Sequence, residues 1–269
     1  MWTQGILLPH APILVPEVAG RSGSGPGKTL NAFLSVRKRL TEAAPDMLLV
    51  LDPHTSTERT FSLIQSGSFS GDLGQFGARS VSVKSNGGPA EEGAALSRHI
   101  ANLFPVEHFR PETYVLDYGA VVPLHFLKLA LGSTPPFVIA NPVTISFTQA
   151  YQLGKHLREY GTKINWGLLA SGDLSHRLSR DAPSGYHPDG KILDDAIQQA
   201  LISSSPAPIF DLDPDTIYNA GECGLRSVLA LLGLSLGAGV ELLSYEAPFG
   251  VGYCSAVWFE GGICPNEQG

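Results

Sequence analysis

The sequence predicts an α/β fold: a mixed central sheet sandwiched between helical layers, in a single domain spanning residues 1–269. Three observations carry this reading. Short apolar, β-rich runs alternate with longer helical patterns along the chain, which is the signature of strands layered with helices. With 269 residues, 43% of them apolar, there is material for a large core. The last two apolar runs are joined by Pro248-Phe249-Gly250 and read as a hairpin, so at least one pair is antiparallel and the sheet is mixed.

Taken in order, the first strand is expected near 4–9, where Pro9 ends it because proline cannot extend a ladder. A helix near 28–43 leads to a strand at Met47-Leu48-Leu49-Val50-Leu51. The intervening Ser22-Gly23-Ser24-Gly25-Pro26-Gly27-Lys28-Thr29 resembles a phosphate loop, but Ser22 stands where the first glycine is needed and no strand feeds it. It reads instead as a flexible lid or loop before the helix. A Gly/Ser-rich passage from Ser66 to Gly77 precedes a strand near 79–83 and a helix near 89–103. A short strand at Tyr114-Val115-Leu116, a helix from Pro123 to Leu131 and a strand at Phe137–Ala140 follow. Next come a helix near 147–160 and a strand at Trp166–Ser171. Helices are expected near 189–202, 213–218 and 221–233, with Ser203-Ser204-Ser205-Pro206 as a loop between two of them. Strands at Val240–Ala247 and Gly252–Phe259 close the chain. Boundaries of this kind carry ~2–4 residues of play.

Composition excludes several classes. A formal charge of −7 argues against a nucleic-acid binder, which carries a basic face. Mean hydropathy is +0.07, and no apolar stretch approaches the ~20 residues of a spanning helix, so no membrane partner is expected. Cys223, Cys254 and Cys264 form no CxxC pair and leave an odd thiol, which suits a reducing compartment. The amino terminus lacks the basic-then-apolar arrangement of a signal peptide, so a cytoplasmic location is expected.

Two histidines carry most of the chemistry. His10 follows the first strand and His54 follows the second, in Asp52-Pro53-His54. Each imidazole would stand at a strand's carboxyl end, the rim where open α/β sheets place their ligands. Either alone would read as a turn histidine satisfied by backbone; their matching placement favours a shared site at the sheet edge. Two neutral imidazoles plus a carboxylate there make a metal site. A third motif, Ser171-Gly172-Asp173-Leu174-Ser175-His176, turns off the 166–171 strand onto the same rim. His176 can give and take protons near neutral pH, and Asp173 either orients it or caps a helix. For the carboxylate, Glu222 in Ala220-Gly221-Glu222-Cys223-Gly224 is either a ligand or an acid suited to a helix's first turn. Its flanking glycines weaken a helix and would permit close backbone approach to something else. Neighbouring helical residues point ~100° apart, so Glu222 and Cys223 are not expected to ligate together. Glu246 is a reserve carboxylate. His99, His108 and His156 read as solvated surface residues, Cys254 as core, and Cys264 as part of a disordered tail.

Pro9-His10-Ala11-Pro12, Asp52-Pro53-His54, Ser171 to His176 and Glu222-Cys223 occur in this order across almost the whole chain. Together they resemble the class III extradiol ring-cleavage dioxygenases, the superfamily of the protocatechuate-cleaving catalytic subunit, and their Memo-like relatives. Leu178 to Asp194, with Gly185-Tyr186-His187-Pro188-Asp189-Gly190, resembles the segment after the active-site histidine in bacterial members. The resemblance implies a non-haem Fe(II) site (Zn or Mn as alternatives) held by His10, His54 and Glu222, with His176 as acid/base beside Asp173. The expected partners are a catechol-like aromatic and O2, in a homo-oligomer or with a small second subunit.

Two departures stand out. Asp117-Tyr118-Gly119 occupies the place where members often carry Asp-His-Gly, which makes Tyr118 and, a little beyond it, His125 candidates to contact substrate, with His187 a third. Cys223-Gly224 matches a cysteine beside a glycine in the Memo-like branch, where ring cleavage is not the established role. Two alternatives therefore stand beside extradiol cleavage. One is a Memo-like metal-binding protein with a redox or accessory role, in which Cys223 contacts the metal. The other is a zinc hydrolase with His176 or Asp173 as base.

Overall fold

The computed structural model describes residues 1–20, 27–56 and 60–261. Its strands are β1 (Trp2–Leu8), β2 (Met47–Leu51), β3 (Phe61–Ile64), β4 (Ser68–Leu73), β5 (Ala78–Ser85), β6 (Val106–Phe109), β7 (Thr113–Val115), β8 (Phe137–Ala140), β9 (Trp166–Ser171), β10 (Glu241–Glu246) and β11 (Tyr253–Phe259). Its helices are α1 (Pro16–Ala19), α2 (Gly27–Ser35), α3 (Arg37–Glu42), α4 (Ala90–Ile100), α5 (Tyr118–Leu131), α6 (Phe147–Arg158), α7 (Pro188–Ser203), α8 (Ala207–Phe210), α9 (Pro214–Ala220) and α10 (Leu225–Ser235).

The main sheet has eight strands in the order β10-β11-β1-β9-β2-β8-β3-β6. Its middle four, β1, β9, β2 and β8, run parallel. Strands of this kind are covered on both faces and read as continuous apolar runs, and every residue of β2 and β9 is buried. Alternation divides the β2 side chains: Leu49 and Leu51 enter the layer of α4, α6, α7 and α10, while Leu48 and Val50 enter that of α2, α3 and α5. β11 runs antiparallel to β1 and to β10, forming the expected hairpin and making the sheet mixed. β4, β5 and β7 form a separate three-stranded sheet beside α5.

Four local expectations are corrected. The helix expected over 28–43 is two helices, because Val36 leaves helical geometry (φ −95, ψ 11). The bend lets Phe33, Val36 and Leu40 all enter one core layer. The helix expected from Pro123 starts at Tyr118, since Asp117 accepts the Gly119 amide (3.0 Å) and caps it. The helix expected from 221 starts at Leu225, behind two glycines. The Gly/Ser-rich passage contains β4, preceded by β3, while β6 lies farther on; all three are short, and β4 and β6 mix polar with apolar residues. Residues 22–26 of the expected lid, and Cys264 with its tail, lie outside the described residues. No described helix is long and apolar enough to cross a membrane.

A candidate metal centre at the sheet rim

Because β9 lies between β1 and β2 and all three are parallel, their carboxyl ends open side by side on one rim. His10, His54 and the 172–176 turn are therefore delivered to one place by three adjacent strands.

The His10 imidazole is buried, and its protonation pattern follows from its neighbours. Pro123 lies inside α5 and has no amide hydrogen to give the carbonyl four residues back, that of Gly119. The freed carbonyl accepts the Ser171 hydroxyl at 2.6 Å. With its hydrogen so committed, Ser171 Oγ can only accept from His10 Nδ1, 3.0 Å away. His10 therefore carries its proton on Nδ1 and keeps a lone pair on Nε2, the arrangement a metal-ligating imidazole needs. Burial, reinforced by repulsion from His54 and His176, lowers its pKa to about 3, so it is neutral at physiological pH.

His54 is placed by other parts. Its Nδ1 lies 3.3 Å from Asp117 Oδ1, an ion-pair distance without a hydrogen bond, since that oxygen accepts the Gly119 amide; the carboxylate faces the Nδ1 side of the ring. The Asp52 carboxylate accepts the His54 amide (3.1 Å) and the Thr55 hydroxyl (2.8 Å), holding the turn; burial raises its pKa to about 7. This packing requires glycine at 119, where a Cβ would lie 2.3 Å from Asp52 Oδ1 and 3.0 Å from His54 Cβ. The His10 and His54 rings meet edge-on with centroids 4.7 Å apart. Tyr118 packs against both, at 6.0 and 4.6 Å, and burial with the nearby Asp117 charge raises its phenol to about 12.

The third corner is Cys223. Among the described residues, His10, His54 and Cys223 form the group whose ligand atoms all lie within 4.8 Å of one another. Cys223 Sγ is 3.4 Å from His10 Nε2. Glu222 turns instead onto α10, where its Oε2 accepts the Leu225 amide at 2.6 Å as a helix cap. Burial raises the pKa of both the Glu222 carboxyl and the Cys223 thiol. The glycine pattern explains the placement: Gly224 donates to the Asp173 carbonyl (2.9 Å), and a Cβ there would lie 2.7 Å from that oxygen. That contact draws the 221–224 turn against the β9 loop. Two imidazoles and a thiol fit a divalent ion that accepts soft donors, such as zinc. They do not supply the carboxylate corner of the two-histidine, one-carboxylate set that the resemblance implies for Fe(II).

His176 stands on the same rim, half-buried. Its Nδ1 lies 2.7 Å from the Gly221 carbonyl, which can only accept, so Nε2 carries the free lone pair. Asp173 does not orient His176 through a hydrogen bond. It accepts the His10 amide (2.8 Å) and places its other oxygen 3.9 Å from His10 Nε2, with burial raising its pKa to about 6. It is a clamp on the His10 turn.

The other candidates are dispersed. His187 caps α7, accepting the Asp189 amide through Nδ1 (3.3 Å). His125 has Glu17 and Lys128 as charged neighbours, away from the imidazole cluster, and burial lowers its pKa. Glu246 is taken up by the Thr29 amide (2.8 Å) and hydroxyl (2.7 Å). His99 and His156, expected as solvated, stack at 3.9 Å and each bonds the other's carbonyl at 2.7 Å, joining the ends of α4 and α6. Reading the sequence for chemistry-bearing residues missed Ser171, Asp117 and Pro123 as parts of the site. A proline in an otherwise apolar helix was the one visible signal. Beside Asp117 and Tyr118, a cavity of about 550 Å³ runs along the polar face of the small sheet, lined by Ser70, Asp72, Gln75 and Lys84.

Residues 4–255 match the family model described as the catalytic LigB subunit of aromatic ring-opening dioxygenase. The chain is 33% identical over 260 residues to "Protein CA_C1420" of Clostridium acetobutylicum, covering 92% of this chain and 55% of that protein. It thus spans about half the length of the curated relative it matches. In three dimensions it resembles the uncharacterized protein JW3007 from Escherichia coli K12, with a TM-score of 0.64 at 15% identity, covering 95% of this chain and 99% of the other.

Proposed function

The chain belongs to the family of the LigB catalytic subunit of aromatic ring-opening dioxygenases, and from that membership we propose that it is a metal-dependent enzyme that opens the ring of a catechol-like aromatic beside its two hydroxyls, using O2. One observation carries the reading: the histidines following β1 and β9 have Nδ1 held by an acceptor, and the one following β2 has its Nδ1 3.3 Å from the Asp117 carboxylate, which favours Nε2 of all three for chemistry on one rim. His10 and His54 are the imidazole ligands, and Cys223 takes the third corner. Any divalent ion held there would supply Lewis acidity toward a phenolic oxygen, and only a redox-active one, which zinc is not, would also supply a redox partner for O2. The chain's own groups do the rest. His176 accepts a hydroxyl proton at Nε2 and can return it later, while its Nδ1–H stays on the Gly221 carbonyl. Tyr118 stays protonated at neutral pH, walls the pocket beside the two ligand rings and offers its hydroxyl as a donor.

The thiol favours a second reading, a metal-binding protein with a redox or accessory role, because soft donors select metals other than ferrous iron. One experiment separates the two. The protein is loaded anaerobically with Fe(II), Mn(II) or Zn(II), mixed with a panel of catechols, and exposed to air while oxygen uptake and the absorbance of opened-ring product are followed. Turnover with a redox metal, abolished in His176→Ala with metal still bound, supports ring opening. Tight metal binding without turnover of any catechol supports the second reading.

A further inference from the structure

Asp194, on α7, is fully buried, yet its side chain meets no cation among the described residues. Its Oδ1 accepts the Ser175 amide at 2.9 Å and its Oδ2 accepts the Tyr245 hydroxyl at 2.7 Å. The ionisable groups around it are Asp195 and Lys191 on its own helix, Tyr245 on β10 and Cys254 on β11. Burying a carboxylate with two donors and no counter-charge is costly, and an apolar side chain would close α7 against β10 at least as well. What an apolar residue could not do is hold the Ser175 amide.

Ser175 immediately precedes His176, and all its polar atoms are engaged. Its carbonyl accepts the Gly252 amide (2.9 Å), and its hydroxyl donates to the Ala220 carbonyl (2.9 Å) and accepts the Arg177 amide (3.1 Å). The Leu174 amide donates to the Gly252 carbonyl (2.8 Å), so the segment is pinned on its other side as well. From this anchored residue the next imidazole reaches Gly221, in the turn that presents Cys223. We infer that Asp194, supported by Tyr245, is a positioning residue that holds Ser175 so that His176 keeps its proton on Nδ1 and presents Nε2 to the rim. This rests on the reading of His176 as the proton-transfer group.

The test is histidine-ring NMR on the whole 269-residue chain, metal-free and zinc-loaded, with amide exchange at Ser175 measured alongside. In the parent, His176 is expected as the Nδ1–H tautomer. Asp194→Asn keeps it, since the amide oxygen accepts from Ser175 and the amide nitrogen donates to Tyr245. Asp194→Ala shifts His176 toward the Nε2–H tautomer and speeds Ser175 exchange at least tenfold, while zinc affinity stays within about threefold. Tyr245→Phe is the gentler variant and decides the matter if Asp194→Ala does not fold; it moves both signals in the same direction, by less. Folded variants with the parent's tautomer and exchange rate overturn the inference, as does loss of zinc with an unchanged tautomer. Failure to open any catechol would not affect these readings, so the two proposals fail separately.

Discussion

Replacing Ser171 by alanine tests the arrangement around His10 most directly. The hydroxyl serves two buried groups, the Gly119 carbonyl that Pro123 leaves without a helical donor and the Nδ1–H of His10. Without it, His10 can relieve itself by moving its proton to Nε2, but the carbonyl cannot. One unsatisfied buried acceptor costs about 1–3 kcal/mol, which is the expected loss of stability. The moved proton occupies the lone pair meant for metal, and loss of a group that orients a ligand costs about 10–100-fold in affinity, or about 1.4–2.7 kcal/mol. Stability is read by denaturant unfolding of the metal-free protein, and affinity by competition with a chelator for zinc. The decisive variant is Pro123→Ala combined with Ser171→Ala, which returns an amide donor to the Gly119 carbonyl and nothing to His10. Stability should recover and affinity should not. If affinity recovers with stability, or if Ser171→Ala binds zinc like the parent, the reasoning about the His10 tautomer is wrong.

Three further outcomes are expected. Cys223→Ala should lose more zinc affinity than the roughly 10–100-fold that an outer partner costs, while Glu222→Gln, whose amide oxygen still accepts from Leu225, should bind like the parent; the reverse order, by the same competition assay, would return the third corner to the carboxylate. Gly119→Ala places a Cβ 2.3 Å from Asp52 Oδ1, so thermal unfolding should show a loss of about 1–3 kcal/mol, typical of overpacking, together with weakened metal binding. Burial raises Asp194 to about 7, so the folded state holds its proton where the unfolded chain releases it. That contribution is complete below about pH 4 and is lost as pH rises to about 7, with a ceiling of about 4 kcal/mol at 1.36 per unit. The stability difference between parent and Asp194→Asn should therefore fall across that window; a flat difference would mean that the carboxyl is not held protonated.

Most of the fold was legible because its central strands are buried on both faces. A run such as Met47–Leu51 has no solvent side, so composition alone marks it, and a parallel sheet with helical cover follows. The small sheet was not legible for the opposite reason. β4 is buried only at Phe69 and Leu73, so its sequence, Ser-Phe-Ser-Gly-Asp-Leu, reads as loop until β5 and β7 supply the pairing. The break at Val36 escaped as well, because periodicity of 3.6 residues survives a bend that keeps Phe33 and Leu40 on one core layer.

In the site, histidines after strands were visible because strand order brings strand ends together, and Pro9 and Pro53 mark where strands stop. The Glu222–Cys223 choice was invisible, since it depends on a contact between distant glycines. Gly224 lies against Gly172 and Asp173, and this fixes how the turn enters α10. Glu222 then falls where a side-chain oxygen reaches the unpaired Leu225 amide, and Cys223 faces His10. The same acid at the same distance from a helix start fits a cap and a ligand equally well in one dimension. What separates them is that the cap bond needs only the local helix, whereas ligation needs the turn to point the other way. A carboxylate already bonded to its own helix has to give up that bond and turn to reach the rim; the neighbouring thiol already faces it and gives up only a weak donor contact to the Asp173 carbonyl at 3.6 Å. For that reason the donor set, more than the fold, decides which chemistry this scaffold performs.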